Sequence, residues 1–125
     1  MTRKSERGQA TVEFALSVTL FLMLLFALFD IGRLVYLDSA LTAAAQEGAR
    51  ILVAHPTMST SRLRVEMCRK VVGLNPSDIQ VNVRWRRRNT VEVEATHRYH
   101  SIVPLPFFDG LLLRARVRMH VELGR

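Results

Sequence analysis

Glu13 is the residue with the sharpest chemical demand. It stands at the front of a run, Phe14 to Phe29, that holds 16 residues and no charge. A carboxylate at the centre of a bilayer costs on the order of 2.5–3.5 kcal/mol, less near the interface, and such residues usually pair or act. Other constellations promise less. His97 and His100 form an H-x-x-H at a strand end, where positions i and i+3 point to opposite faces and do not converge on a metal. His55 and His120 have no partners by spacing. The sequence offers no glycine-rich phosphate loop, no Ser-His-Asp order and no paired catalytic carboxylates. Neither an enzymatic activity, nor a cofactor, nor a metal is therefore expected. The lone Cys68 excludes an internal disulfide framework and reads as a small buried hydrophobe.

The element that positions Glu13 must be a helix. Extending the apolar run back to Gln9 gives 21 residues with Glu13 as the single charge, close to the roughly 20 that span a hydrocarbon core of about 30 Å. Arg3, Lys4 and Arg7 precede it against Glu6 alone, so the positive-inside bias keeps the N-terminus cytoplasmic and sends the rest across. A conventional secretory signal would need a small-x-small site soon after the run. The nearest, Ala43 to Ala45, lies some 14 residues beyond Phe29, too far for ordinary processing. The helical pattern continues past the membrane. Ile31, Leu34, Val35, Leu41, Ala45, Gly48, Ala49 and Leu52 recur at helical spacings, and no proline interrupts before Pro56. A helix from Ala10 to Val53 would be 44 residues and about 66 Å long. Its outer half needs a packing partner, and Gly32, Ala40, Ala43, Ala44, Ala45, Gly48 and Ala49 permit close approach.

After a loop at Thr57–Thr60, Ser61 to Gly73 fit a short helix with Leu63, Met67, Val71 and Leu74 on one side, ended by Gly73 and Asn75-Pro76. The period then becomes two. Ile79–Arg86, Val91–Thr96 and Leu113–Leu123 read as three half-buried antiparallel strands. The first two are joined by a turn near Arg87 to Asn89, and Pro104, Pro106 and an Asp109-Gly110 turn lead to the third. The expected architecture is α+β: a long N-terminal membrane-spanning helix, its amphipathic half packed on a small antiparallel sheet, and one extra short helix. Alternation puts Arg84, Arg86, Arg114, Arg116 and Arg118 on the polar sheet face, a conceivable polyanion or DNA surface. Glu92 and Glu94 on the middle strand are expected to pair with them, which makes a nucleic-acid partner the weaker reading. Trp85 should point to the core face.

Several spaced signals agree on a family. Arg7-Gly8-Gln9-Ala10-Thr11-Val12-Glu13-Phe14, then Asp30-Ile31-Gly32-Arg33-Leu34, then Ala40-Leu41 and Ala44-Ala45-Gln46-Glu47-Gly48-Ala49-Arg50 resemble TadE-like proteins, the minor pseudopilins of tight-adherence pilus systems. Asp30 and Ile31 stand where Glu and Phe are the commoner pair. The resemblance covers about residues 7 to 52. It implies a pilin-like α+β fold with a leader, residues 1–8, removed by a prepilin peptidase between Gly8 and Gln9, then a transmembrane half at 9–30, an amphipathic extension at 31–54 and a periplasmic α+β domain at 57–125. It also implies that Glu13, beside Phe14, meets the new terminal amine of a neighbouring subunit, and that the partners are the cytoplasmic membrane, other minor pilins, the major pilin and an inner-membrane assembly platform. Loss of residues 1–8 would lower the net charge from +7 to +5 before the termini are counted. The rival expectation from another class is a single-pass, signal-anchored receptor or adaptor with a small basic periplasmic binding domain, whose N-terminus stays uncut.

Overall fold

A computed structural model describes residues 3–87, 89–101 and 109–121, with side chains from Glu6 onward. The first element, α1, runs unbroken from Arg3 to Ala54. At 52 residues it is about 78 Å long. It is longer at the front than the expected start at Ala10. Residues 3–9 contain no proline, and Glu6 in the first turn suits the positive end of the helix dipole. It ends at Ala54 because His55 precedes Pro56, whose ring disfavours helical backbone at the residue before it.

Along its first half nothing in the fold covers α1. Phe14 is 70% exposed and Phe29 67%, and the large side chains between them are exposed or half-buried. This is the one helix among the described residues long and apolar enough to cross a membrane. Burial inside the domain does not account for its hydropathy, so this half is a membrane anchor.

Burial begins abruptly at Asp30 and continues through Leu37, Ala40, Leu41, Ala44, Ala45, Gly48, Ala49 and Leu52. The expected inward face is corrected at two positions. Ile31 and Val35 point outward, 43% and 60% exposed, and Leu37, Ala40 and Ala44 take the core side. Apolar residues occur around most of this segment, so periodicity alone left its azimuth ambiguous; the small side chains at 40, 44, 45, 48 and 49 decide it by letting the sheet approach. Gly32 and Ala43, expected among the packing residues, are exposed.

The second helix, α2, spans Thr60–Arg69, shorter than the expected Ser61–Gly73. The chain leaves the helix at Lys70, and Gly73 adopts φ +93°, a left-handed conformation open to glycine. Tyr36 on α1 donates to the Val72 carbonyl at 2.9 Å and holds this exit. Leu63, Met67 and Cys68 of α2 are buried, and Lys70 pairs with Glu47 of α1. Burial raises the pKa of the Cys68 thiol, in keeping with its packing role.

A 3₁₀ turn at Pro76–Asp78 leads into β1, Ile79–Arg86, followed by β2, Thr90–Arg98, and β3, Leu112–His120. They form an antiparallel meander in the order β1-β2-β3. Asn89, at φ +54°, closes the first turn, and Gly110, at φ +77°, sits before β3. Pro104, Pro106 and the expected end of the third strand at Leu123 lie outside the described residues. Val91, Val93 and Ala95 of β2 share the core face with Leu113 and Ala115 of β3. The helix α1 packs on β2 and β3, while α2 leans on β1. Trp85 takes the expected face. It lies opposite Val91 on the core face, yet at the far end of the outer strand it stays 50% exposed. The α+β expectation is met, extra short helix included.

Gly48 lies at a close approach of the two helices. A Cβ there would stand 2.6 Å from the Met67 sulfur, whereas one at Gly32 would meet nothing within 4 Å. Gly48→Leu should therefore destabilise the domain by roughly 1–3 kcal/mol through overpacking. Gly32→Leu, at an open helix position, should not destabilise it and should gain roughly 0.5–1 kcal/mol of helix propensity. Thermal unfolding of the full chain in detergent micelles compares the two, and equal stability of both variants would refute the close contact.

Candidate functional site

Gly8, Gln9, Glu13 and Phe14 all lie on the first turns of α1 and are exposed. Gln9 is one helical turn before Glu13, and its side-chain amide donates to the Glu13 carboxylate at 3.3 Å. The hydroxyls of Thr11 and Ser17 turn back to the carbonyls of Arg7 and Glu13 within the helix. No ion pair to Glu13 occurs among the described residues. Gly8 is helical, and an added Cβ would meet nothing within 4 Å. The fold gives no reason for glycine at this point, where an interior helix position loses about 1 kcal/mol relative to alanine.

At the other end of the apolar run the structure brings together residues that sequence reasoning left apart. Asp30 is 3% exposed, and its carboxylate accepts hydrogen bonds from the Tyr99 hydroxyl and the Ser101 hydroxyl. The Tyr99 hydroxyl also lies 3.1 Å from the Asp30 carbonyl. Arg33, one turn further on, donates to the His100 carbonyl at 3.4 Å, and its guanidinium carbon stands 5.7 Å from the centre of the Tyr99 ring. The segment after β2 is thereby latched to α1 at the level where the apolar run stops. A buried carboxylate needs such donors, because desolvation without them is costly. Burial first, and the Asp30 hydrogen bond and charge second, push the Tyr99 phenol up to about 12, with Arg33 opposing. The phenol thus remains a proton donor at neutral pH. Gly32 faces outward and takes no part. Asp30 was visible in sequence only as an element of a motif. Its helical phase with Leu34, Leu37 and Leu41, which puts an acid on a buried stripe, was the available signal for a buried partner.

The five arginines fall on the polar sheet face as expected, with Glu92 and Glu94 between them. Glu92, only 1% exposed, accepts from Arg118 at 2.8 Å, with Arg116 and Arg86 at 3.5 and 3.7 Å. Glu94 takes two hydrogen bonds from Arg116, at 2.8 and 3.1 Å, and lies 3.4 Å from Arg114. The Arg118 hydrogen bond and the neighbouring cations hold Glu92 below the usual carboxylate range against the opposing effect of burial. Arg84 is opposite Glu92 in register, is exposed, and joins no ion pair among the described residues. This cross-strand ladder commits four of the five arginines and weakens the polyanion reading. His97 contacts the Asp78 carbonyl at 3.2 Å and His100 lies 3.8 Å from Asp109, so the two rings go separate ways. No group of three metal-ligating side chains occurs among the described residues.

The latch generates a pH-dependent prediction. An unfolded phenol titrates near 10.0 and the folded one near 12, so the stability it contributes is complete below pH 10 and is lost as pH rises toward 12. Tyr99→Phe should destabilise the domain by roughly 1–3 kcal/mol at neutral pH by stripping a donor from a buried carboxylate. It should also flatten the alkaline decline in stability. Denaturant midpoints at several pH values from 8 upward, for both proteins, check the two effects; an unchanged alkaline slope would count against the latch.

No curated protein and no solved structure matches the chain. Residues 8–50 match the family described as TadE-like protein, the family whose motifs the sequence resembles. The matched segment, which holds the apolar run, Asp30 and the core face of α1 as far as Ala49, is similar to TadE-like proteins.

Proposed function

We propose that this chain is a minor pseudopilin of a tight-adherence pilus system. A prepilin peptidase cuts it between Gly8 and Gln9 on the cytoplasmic side, and the product is held in the inner membrane with its C-terminal domain in the periplasm. From there it enters the pilus or its assembly base, alongside other minor pilins, the major pilin and the assembly platform. The observation that carries the reading is the pairing of an uncovered apolar helix with a single acid one turn from Gln9, directly after a glycine the fold does not require.

Cleavage would give Gln9 an α-amino group, which with a pKa near 7.7–8.0 is mostly cationic at neutral pH. At the edge of an apolar segment that cation needs a partner. Glu13 supplies one on a neighbouring subunit, and the pair would neutralise both groups and set the axial register of adjacent helices. Within its own helix Glu13 would then lie in the first turns of the mature chain, where the macrodipole favours a negative charge by roughly 0.3–1 kcal/mol. Gly8 fits the peptidase step because a pocket with no room for a side chain discriminates by exclusion. Arg3, Lys4 and Arg7 keep the leader on the cytoplasmic face.

Two outcomes test the reading. Gly8→Val should accumulate as a precursor longer than the mature form by the leader, seen on a gel or by mass of the N-terminus with and without the peptidase. If the native protein itself retains residues 1–8, the signal-anchored receptor or adaptor replaces this assignment. Glu13→Ala should insert and be cut normally yet fail to enter the assembly; pili of normal amount containing the variant would rule out the proposed pairing.

A further inference from the structure

The latch fixes which edge of the domain faces the membrane. Asp30 follows Phe29, the last residue of the apolar run, and Tyr99 and Ser101 are held on it. The Tyr99 N–H donates to the Leu111 carbonyl at 2.8 Å, so the start of β3 is brought to the same level. Leu111 and Leu112 are 40% and 51% exposed there. Exposed arginines flank them: Arg98, which is opposite Leu112 in register, and Arg33 on α1, which keeps its contacts to the His100 carbonyl and the Tyr99 ring. Arg114 is next along β3 but is engaged by Glu94. Asp78 and Asp109 are the exposed acids of this edge, the latter beside His100. The opposite edge, with Trp85, Asn89 and His120, is remote from the apolar run because β1 and β3 run away from the latch while β2 runs toward it.

We propose that this lower edge docks on the phospholipid headgroup layer of the leaflet from which α1 emerges. The inference rests on the reading that α1 crosses a membrane. Lipid is the occupant that geometry supplies, since the lipid-facing surface of α1 and the edge carrying Leu111 and Leu112 meet at one level. The leucines suit the acyl boundary, and the long arginine side chains reach phosphates while their stems stay in apolar surroundings. The domain then stands against the bilayer in one orientation instead of swinging above it.

Nitroxide quenching of tryptophan tests the contact in the full chain, reconstituted in vesicles of phosphatidylcholine and phosphatidylglycerol. The native chain has one tryptophan, Trp85, on the far edge. In a Trp85→Phe background, Leu112→Trp and separately Leu111→Trp should be quenched by headgroup nitroxides several-fold more strongly than native Trp85. Leu24→Trp, inside the apolar run, should be quenched by nitroxides on the acyl chain. If the tryptophans at 111 and 112 are quenched no more than native Trp85 while the one at 24 is quenched, the docking proposal is overturned and the membrane reading stands. If the tryptophan at 24 is not quenched, the membrane reading fails and the docking proposal falls with it.

Discussion

One helix has to satisfy two solvents, and the rest of the structure follows from where the change is made. The apolar run of α1 presents mainly apolar side chains all round and, as a helix, pairs its backbone groups within itself, as a lipid environment requires. The second half has a single buried face and a water-compatible remainder. Asp30 sits at the changeover. It is an acid in the first position where the domain shields the helix, and it is tolerable there because Tyr99 and Ser101 arrive from the sheet to donate to it. The side of the same helix turn that would otherwise present apolar surface to water is thus converted into a polar joint.

Above that joint the domain is held by close packing of small residues. Alanines at 40, 44, 45 and 49 and the glycine at 48 bring α1 near enough for Met67 of α2 and the β2–β3 surface to cover it. The sheet's other face is held differently, by a ladder in which two carboxylates serve four arginines. Because Glu92 is nearly inaccessible, its charge is stabilised by those guanidinium groups rather than by water, and removing a partner would leave it exposed to the cost of desolvation.

Much of this was legible in the residues. Sixteen uncharged positions in a row left little choice but a membrane-length helix, and strict alternation in Ile79–Arg86 and in β3 gave the strands and the arginine face. The Arg–Glu pairing followed from the opposite charges on neighbouring strands. Three things were not legible, each for a physical reason. The azimuth of α1 was hidden because Ile31 and Val35 are as apolar as the residues that do pack. The short span of α2 depended on Gly73 and a Tyr36 contact from 36 residues away. The latch joins positions 69 and 71 residues apart in sequence, and no local periodicity reports contacts of that range. The N-terminal motif was legible only through its family resemblance, because Gly8 does nothing for the fold of the single chain.

The continuity of α1 through Asp30 has a consequence for assembly geometry. With no break between anchor and domain, the domain blocks one angular sector around the rod, the sector of Asp30, Leu37 and Leu41. Any second rod lying alongside the outer half must come in through the open sector, where Ile31, Val35, Thr42 and Ala43 face out. The buried face that starts at Asp30 and runs through the small residues to Leu52 therefore sets the bearing from which neighbours can be admitted along the outer half.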